Sequence, residues 1–136
     1  MNATLNAELV KTLLAKAKEA AVNAYSPYSK LSVGAAIRSH DGNIYTGCNI
    51  ENPSFGAAIC AERCALAAMV GSEGPVARIS AIAVWCDGEN PCYPCGICRQ
   101  ALLPFHEDET LLIVEEQGKA KAMQLSSLLP FAFKGW

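Results

Sequence analysis

Cys60, Cys95 and Cys98 constrain this chain more than any other feature, because one ion gripped by all three would force two remote segments to meet. The segments are Cys60-Ala61-Glu62-Arg63 and Pro94-Cys95-Gly96-Ile97-Cys98-Arg99-Gln100. Cys95 and Cys98, separated by two residues, can hold an ion from a single turn, and Cys60 supplies a third ligand from another helix. Both segments are expected at or near helix N-termini, where unpaired N–H groups and the helix dipole favour a thiolate. Three protein ligands leave the fourth tetrahedral position for water, which is the catalytic pattern of zinc; structural sites usually close with four. The chain carries seven cysteines, an odd number, so no disulfide scheme uses them all. Its opening residues lack the basic segment, apolar run and cleavage site of a signal peptide. Thiols of a reducing compartment stay free, and a cluster of them reads as metal-binding or catalytic.

Glu62 stands two residues from Cys60 and cannot easily share its direction, but it can reach a water on the ion. Zinc lowers the pKa of such a water from about 15.7 towards roughly 7. One carboxylate can then serve as general base and afterwards as general acid. Three thiolates outweigh the charge of one divalent ion, and the helix ends and Arg63 are the candidates to offset the surplus.

With 136 residues, 51% hydrophobic and 18% charged, the chain is expected to form a single domain over 1–136 with its own core. Its net charge of −2, with no Lys/Arg run, disfavours a polynucleotide partner. No apolar stretch is long enough to span a bilayer, so no membrane partner and a cytoplasmic location are expected.

Leu5, Leu9 and Leu13, continued by Ala17, Ala20 and Ala24, mark a first helix that stops before Ser26-Pro27. Val33, Ala35 and Ile37 alternate as a strand, and Asp41-Gly42 turns the chain into a second strand over 44–48. A loop over 49–56 precedes a helix over 57–70, closed by Gly71. The run 79–85 reads as a strand buried on both faces. A loop over 87–94, a short helix over about 96–103 stopped by Pro104, and a buried strand over 111–114 come next. Gln117-Gly118 turns into a weaker edge strand over 119–123, and 125–129 forms a last helical turn. Helices interleaved with strands imply an α/β layered domain with both sheet faces covered.

The pairing of Cys-x-Glu with Pro-Cys-x-x-Cys resembles the zinc nucleoside deaminases, in particular the small homotetrameric cytidine deaminases. The likeness extends to Ser26-Pro27-Tyr28-Ser29-Lys30, Val33-Gly34-Ala35-Ala36, Gly47-Cys48-Asn49-Ile50-Glu51-Asn52 and Leu128-Leu129-Pro130, all in family order. It implies a three-layer α/β/α sandwich with a five-stranded mixed sheet, one Zn2+ per chain on Cys60, Cys95 and Cys98, and Glu62 as proton shuttle. It also implies that Asn49 and Glu51 bind the sugar hydroxyls, that Ala61 contacts the substrate, and that Phe133 closes the site, often across a subunit boundary of a homotetramer. The expected substrate is a small nucleoside, cytidine or 2′-deoxycytidine. Leu31 departs from the family, which often places there a Phe that stacks on the pyrimidine. A modified cytosine nucleoside of the blasticidin type is therefore the alternative substrate.

A different class of reading is a non-catalytic, zinc-stabilised interaction protein with Cys92 as a fourth ligand. An iron–sulfur reading of Cys92, Cys95 and Cys98 lacks the x-x-x-Cys-Pro continuation. Cys48, Cys64 and Cys86 read as core residues, and Met69 and Met123 as packing. His40 is expected to face solvent and His106 to be structural. Phe131, Phe133 and Trp136 form an apolar tail suited to a subunit interface.

Overall fold

The computed structural model describes residues 6–135. Leu5 and Trp136, assigned from the sequence to the first helix and the apolar tail, lie outside the described residues. Asn6 caps the first helix, α1 (Ala7–Ala21), its side chain accepting from the Leu9 N–H at 2.9 Å. Such a cap is worth about 1 kcal/mol. The buried stripe of α1 is Val10, Leu13, Leu14, Ala17 and Ala21, not the straight four-residue row, and Leu9 and Ala20 are only half-buried. At 3.6 residues per turn a row taken every four residues drifts around the helix, so a stripe of mixed threes and fours faces the sheet. The helix ends at Ala21, earlier than Ala24, because the chain must turn so that Tyr25 bridges Ile50.

Five strands form one mixed sheet in the order β2-β1-β3-β4-β5, with β1 Val33–Ser39, β2 Ile44–Cys48, β3 Ile79–Cys86, β4 His106–Glu116 and β5 Lys119–Gln124. Only β3 and β4 run parallel; the other neighbours are antiparallel. Gly42, at φ +90°, makes the β1–β2 turn that Asp41-Gly42 announces. β3 is buried along almost its whole length. β4 begins at His106, well before the expected 111, because 106–109 are polar and carry no strand-like alternation. This extension joins β3 through Ile79↔His106, with a register shift before Ala81↔Leu111. Thr110 seals the shift, its hydroxyl donating to the Ile79 carbonyl at 2.6 Å.

The period-two alternation of the strands sorts side chains into two cores, one on each sheet face. Ala36, Ala81, Ala83, Leu111 and Ile113 meet α1 on one face. Ala35, Ile37, Ile82, Val84, Leu112 and Val114 face the other way, towards α2 (Ala61–Glu73) and Leu102 of α3 (Gly96–Leu102). The three-layer α/β/α arrangement expected from the resemblance is the one observed. Each fully buried Leu or Ile contributes roughly 1.5–3 kcal/mol. Among the described residues, no helix is long and apolar enough to cross a membrane.

Helix α2 carries two of the key residues, Glu62 and, at its cap, Cys60, and its placement is tightly set. It starts at Ala61, not at residue 57; Phe55–Ala57 form a separate 3-10 turn, and Ile59 pairs with Ile50 instead of entering the helix. It also runs through Gly71 and stops at Gly74, whose φ of +82° suits a glycine. At its N-terminal half α2 lies directly on Gly47 of β2: a Cβ there would come within 2.5 Å of the Ala65 nitrogen and 2.6 Å of the Ala61 carbonyl oxygen. At its other end Glu73 accepts from the hydroxyls of Ser39 and Tyr45, both at 2.7 Å, and from the Asn43 amide at 3.1 Å. The helix is therefore fixed to the β1–β2 hairpin at both ends.

Gly47→Ala is expected to lose about 2–3 kcal/mol in chemical denaturation, because backbone must move to admit the methyl group. Gly71→Ala, in exposed helix with open space around it, should instead gain up to about 1 kcal/mol.

Candidate metal centre and substrate cleft

Cys60 is the N-cap residue of α2 and Cys95 that of α3, with Cys98 in the first turn of α3. Pro94 precedes Cys95, and its carbonyl accepts from Arg99 Nε at 2.7 Å, while Arg99 Nη1 reaches the Leu128 carbonyl at 3.0 Å. These bonds pin the start of α3. The three Sγ atoms lie within 4.8 Å of one another, and those of Cys60 and Cys95 are 3.9 Å apart. Two bonds of about 2.3 Å at the tetrahedral angle set sulfurs roughly 3.8 Å apart, so the triad has the spacing that zinc requires. Among the described residues, these three are the His, Cys, Asp and Glu side chains that converge as a metal-binding group. Cys92 lines the same cleft but is not among the three converging thiols.

The electrostatics derive from the helix ends. Burial works against ionisation of Cys95, but the N–H groups of Cys98 and Ile97 and the neighbouring thiols outweigh it and lower its pKa. Burial pushes the Cys98 thiol up, reinforced by Glu62 and Cys60. Burial also holds Cys92, with Cys86 beside it, up at about 12, so it stays a neutral thiol. Arg63 Nη2 lies 3.7 Å from Cys60 Sγ, and that contact is the leading cause that raises the guanidinium pKa. Arg63 thus reaches the triad through Cys60, as the sequence reading expects of it.

Glu62 is 4% exposed, in the first turn of α2. Burial raises its pKa, opposed by its own N–H, the Cys98 thiol and Arg63. A buried carboxyl beside a metal-binding triad is a group able to exchange a proton there.

The cleft above these groups has a volume of ≈ 420 Å³ and is lined by Asn49, Glu51, Cys60, Ala61, Glu62 and Arg63 among others. The structure therefore gathers most of the residues singled out in the sequence. Leu31 and Phe133 are not among the cleft's lining. Leu31 lies against Gly88, where an added Cβ would fall 2.8 Å from its Cδ1. Phe133 lines a different cavity of ≈ 470 Å³, and its carbonyl accepts from Gln100 Nε2 at 2.9 Å. Phe55, Tyr93 and Ile97 line the cleft and escaped the sequence reading. Ile97 was visible only as a member of the Pro94–Gln100 segment; Phe55 and Tyr93 carried no signal of their own. Of the other cysteines Cys86 is buried and Cys48 and Cys64 are half-buried. Met69 is fully buried, Met123 packs at the edge of the same core, and His40 is exposed.

Fold and site together define a zinc-dependent deaminase. Residues 7–114 match the family described as the cytidine and deoxycytidylate deaminase zinc-binding region. The chain is 42% identical to a cytidine deaminase of Sporosarcina psychrophila, over 91% of this chain and 90% of that one. The crystal structure of cytidine deaminase from Mycobacterium tuberculosis superimposes with a TM-score of 0.78 at 38% identity, covering 90% of this chain and 95% of the other. That of cytidine deaminase from Burkholderia pseudomallei gives 0.81 at 37%, covering 90% and 98%. The chain belongs to the cytidine and deoxycytidylate deaminase family.

Elemental analysis after dialysis should find zinc on the purified chain, most of it lost in Cys95→Ser. Cys92→Ser should keep the full complement, since its thiol stands outside the triad; loss of metal there would show that Cys92 is a ligand.

Proposed function

We propose that the chain hydrolyses cytidine and 2′-deoxycytidine to uridine and 2′-deoxyuridine with release of ammonia. The observation that carries this reading is the buried Glu62 carboxyl beside three converging thiols at the floor of an open cleft, in a chain with named cytidine deaminases as relatives. Cys60, Cys95 and Cys98 would hold one zinc ion. When bound, that ion supplies a Lewis acid at which water becomes acidic near neutral pH.

Glu62 takes a proton from the attacking water as its oxygen bonds to C4 of the cytosine ring, and passes that proton to N3. It then takes the second proton of the former water and delivers it to the 4-amino group, which leaves as ammonia while the C4–O bond becomes a carbonyl. Water is consumed and ammonia released, with Glu62 regenerated. Arg63 tempers the negative charge of the triad through Cys60.

On the sugar side, Glu51 and Asn49 line the cleft, and a carboxylate acceptor beside an amide that both donates and accepts suits nucleoside hydroxyls. Ala61 lines the cleft between the metal ligand and Glu62. The same family likeness suggests a homotetramer in which Phe133 of a neighbouring copy closes the cleft. Exposed Phe55 and Ile97 at the cleft offer apolar surface for such a copy to cover. Reclaiming pyrimidine nucleosides in the cytoplasm is the role this chemistry fits.

Glu62→Gln is expected to keep fold and zinc yet lose turnover by about 10²–10⁴-fold or more, followed by ultraviolet absorbance and ammonia release. Activity like that of the wild type would remove Glu62 from the reaction. A panel of cytidine, 2′-deoxycytidine and a blasticidin-type nucleoside tests the substrate, with the first two expected to turn over faster.

A further inference from the structure

Glu51 has about four acceptor positions on its two oxygens. Oε1 receives the N–H groups of Tyr28 and Ser29, at 3.0 and 3.1 Å, and Oε2 receives the Ser29 hydroxyl. One position on Oε2 remains for a ligand. The Ser29 oxygen in turn accepts from the Leu31 N–H at 3.0 Å, which leaves its own proton directed at Glu51. The carbonyl of the same Leu31 accepts from Asn49 Nδ2 at 2.9 Å, and Asn49 Oδ1 accepts from the Val33 N–H at 2.8 Å. Asn49 keeps one N–H and one lone pair.

The two polar residues of the cleft are thus joined by a continuous path, Glu51 to Ser29 to Leu31 to Asn49. The loop that closes the path includes Lys30 at φ +62°, a left-handed conformation that residues other than glycine seldom adopt. Lys30 N–H bonded to the Ser26 carbonyl at 3.0 Å and Ser32 N–H bonded to Asp87 at 2.9 Å hold the loop in that shape. Ser29 itself is exposed and is not part of the cleft's lining.

We infer that Ser29 is a positioning residue of the sugar site: its hydroxyl couples Asn49 and Glu51 into one unit and fixes the single acceptor that Glu51 offers to a nucleoside hydroxyl. This rests on the sugar-binding reading of Asn49 and Glu51. The Ser29 hydroxyl is also the leading cause that holds the Glu51 carboxyl below the usual carboxylate range, which keeps it an acceptor only. Leu31 then acts through its peptide group, whatever side chain it carries.

The test compares cytidine with 2′,3′-dideoxycytidine, which lacks the 2′- and 3′-hydroxyls and keeps the 5′-hydroxyl, using the zinc-loaded chain at high enzyme concentration. Ser29→Ala should raise KM for cytidine roughly tenfold, as loss of a hydrogen bond to a charged group would. Its kcat should change little, and kcat/KM for dideoxycytidine should stay as in the wild type. Ser29→Thr, which keeps the hydroxyl, should restore KM. Because the path is shared, Ser29→Ala combined with Asn49→Ala should lose less than the sum of the two single changes. Equal losses on both substrates, or strict additivity with Asn49→Ala, would overturn the inference. If Ser29→Ala does not fold, Ser29→Cys carries the same comparison, having similar shape and a much weaker donor. A wild-type chain that releases no ammonia from either nucleoside overturns the deaminase reading, and the role of Ser29 with it. Normal wild-type turnover with unselective losses overturns the role of Ser29 alone.

Discussion

Three thiols suited to one ion are held close together, and the rest of the site depends on how their charge is managed once they ionise. Two unit charges at the 3.9 Å separation of Cys60 and Cys95 repel by roughly 4 kcal/mol at the screening typical of a protein surface. The fold answers with the start of α3, whose Ile97 and Cys98 N–H groups face Cys95, and with a guanidinium on Cys60. A divalent cation supplies the remainder, and its binding free energy is then also stability of the site. Glu62 can sit buried at this spot only because it comes two residues after the first ligand at the same helix start.

That helix start is fixed from below. Gly47 lets backbone of α2 touch β2 with no side chain between them, and Glu73 ties the far end of the helix to the hairpin. Small displacements of catalytic groups are costly in rate, so a helix seated on backbone suits the proton-transfer role proposed for Glu62. On the opposite side of the cleft the support is hydrogen bonding instead of close packing: Glu51 and Asp87 accept N–H groups of the loop between α1 and β1, and Asn49 accepts that of Val33 at the start of β1. Packing positions the Glu62 end of the cleft, and polar bonds position the Asn49 and Glu51 end.

The fold was legible wherever a side-chain period was present. The alternation Val33-Ala35-Ile37, the apolar run at β3 and the Asp41-Gly42 turn all stand where the sequence put them. Misjudged boundaries fall where tertiary contacts override local pattern. Ala-rich residues 57–60 look helical, but Ile59 pairs with Ile50, and that pairing is what frees Cys60 to act as a cap. The polar start of β4 has no period to read, since its pairing is secured by Thr110 and main-chain groups. At the site, the triad and Glu62 were legible because metal chemistry demands particular residue types at particular spacings. Phe55, Tyr93 and Ile97 were not, because lining a cleft imposes little on sequence beyond being near it in space. Ser29 was visible as part of a motif, yet its link to Glu51 spans a turn and a strand pair that only the folded chain reveals.

The two apolar layers lie on opposite faces of one sheet, and α2 and α3, which carry the thiols, pack on only one of them. The α1 side therefore works as ballast: it contributes burial without touching any group that handles protons or metal. Substitutions at sites more than about 7–10 Å apart with no shared partner combine nearly independently. Hardening this protein against heat through Val10, Leu14 and their neighbours should thus leave its chemistry untouched, whereas similar changes around Ala61 or Ala65 would shift the very helix that carries it.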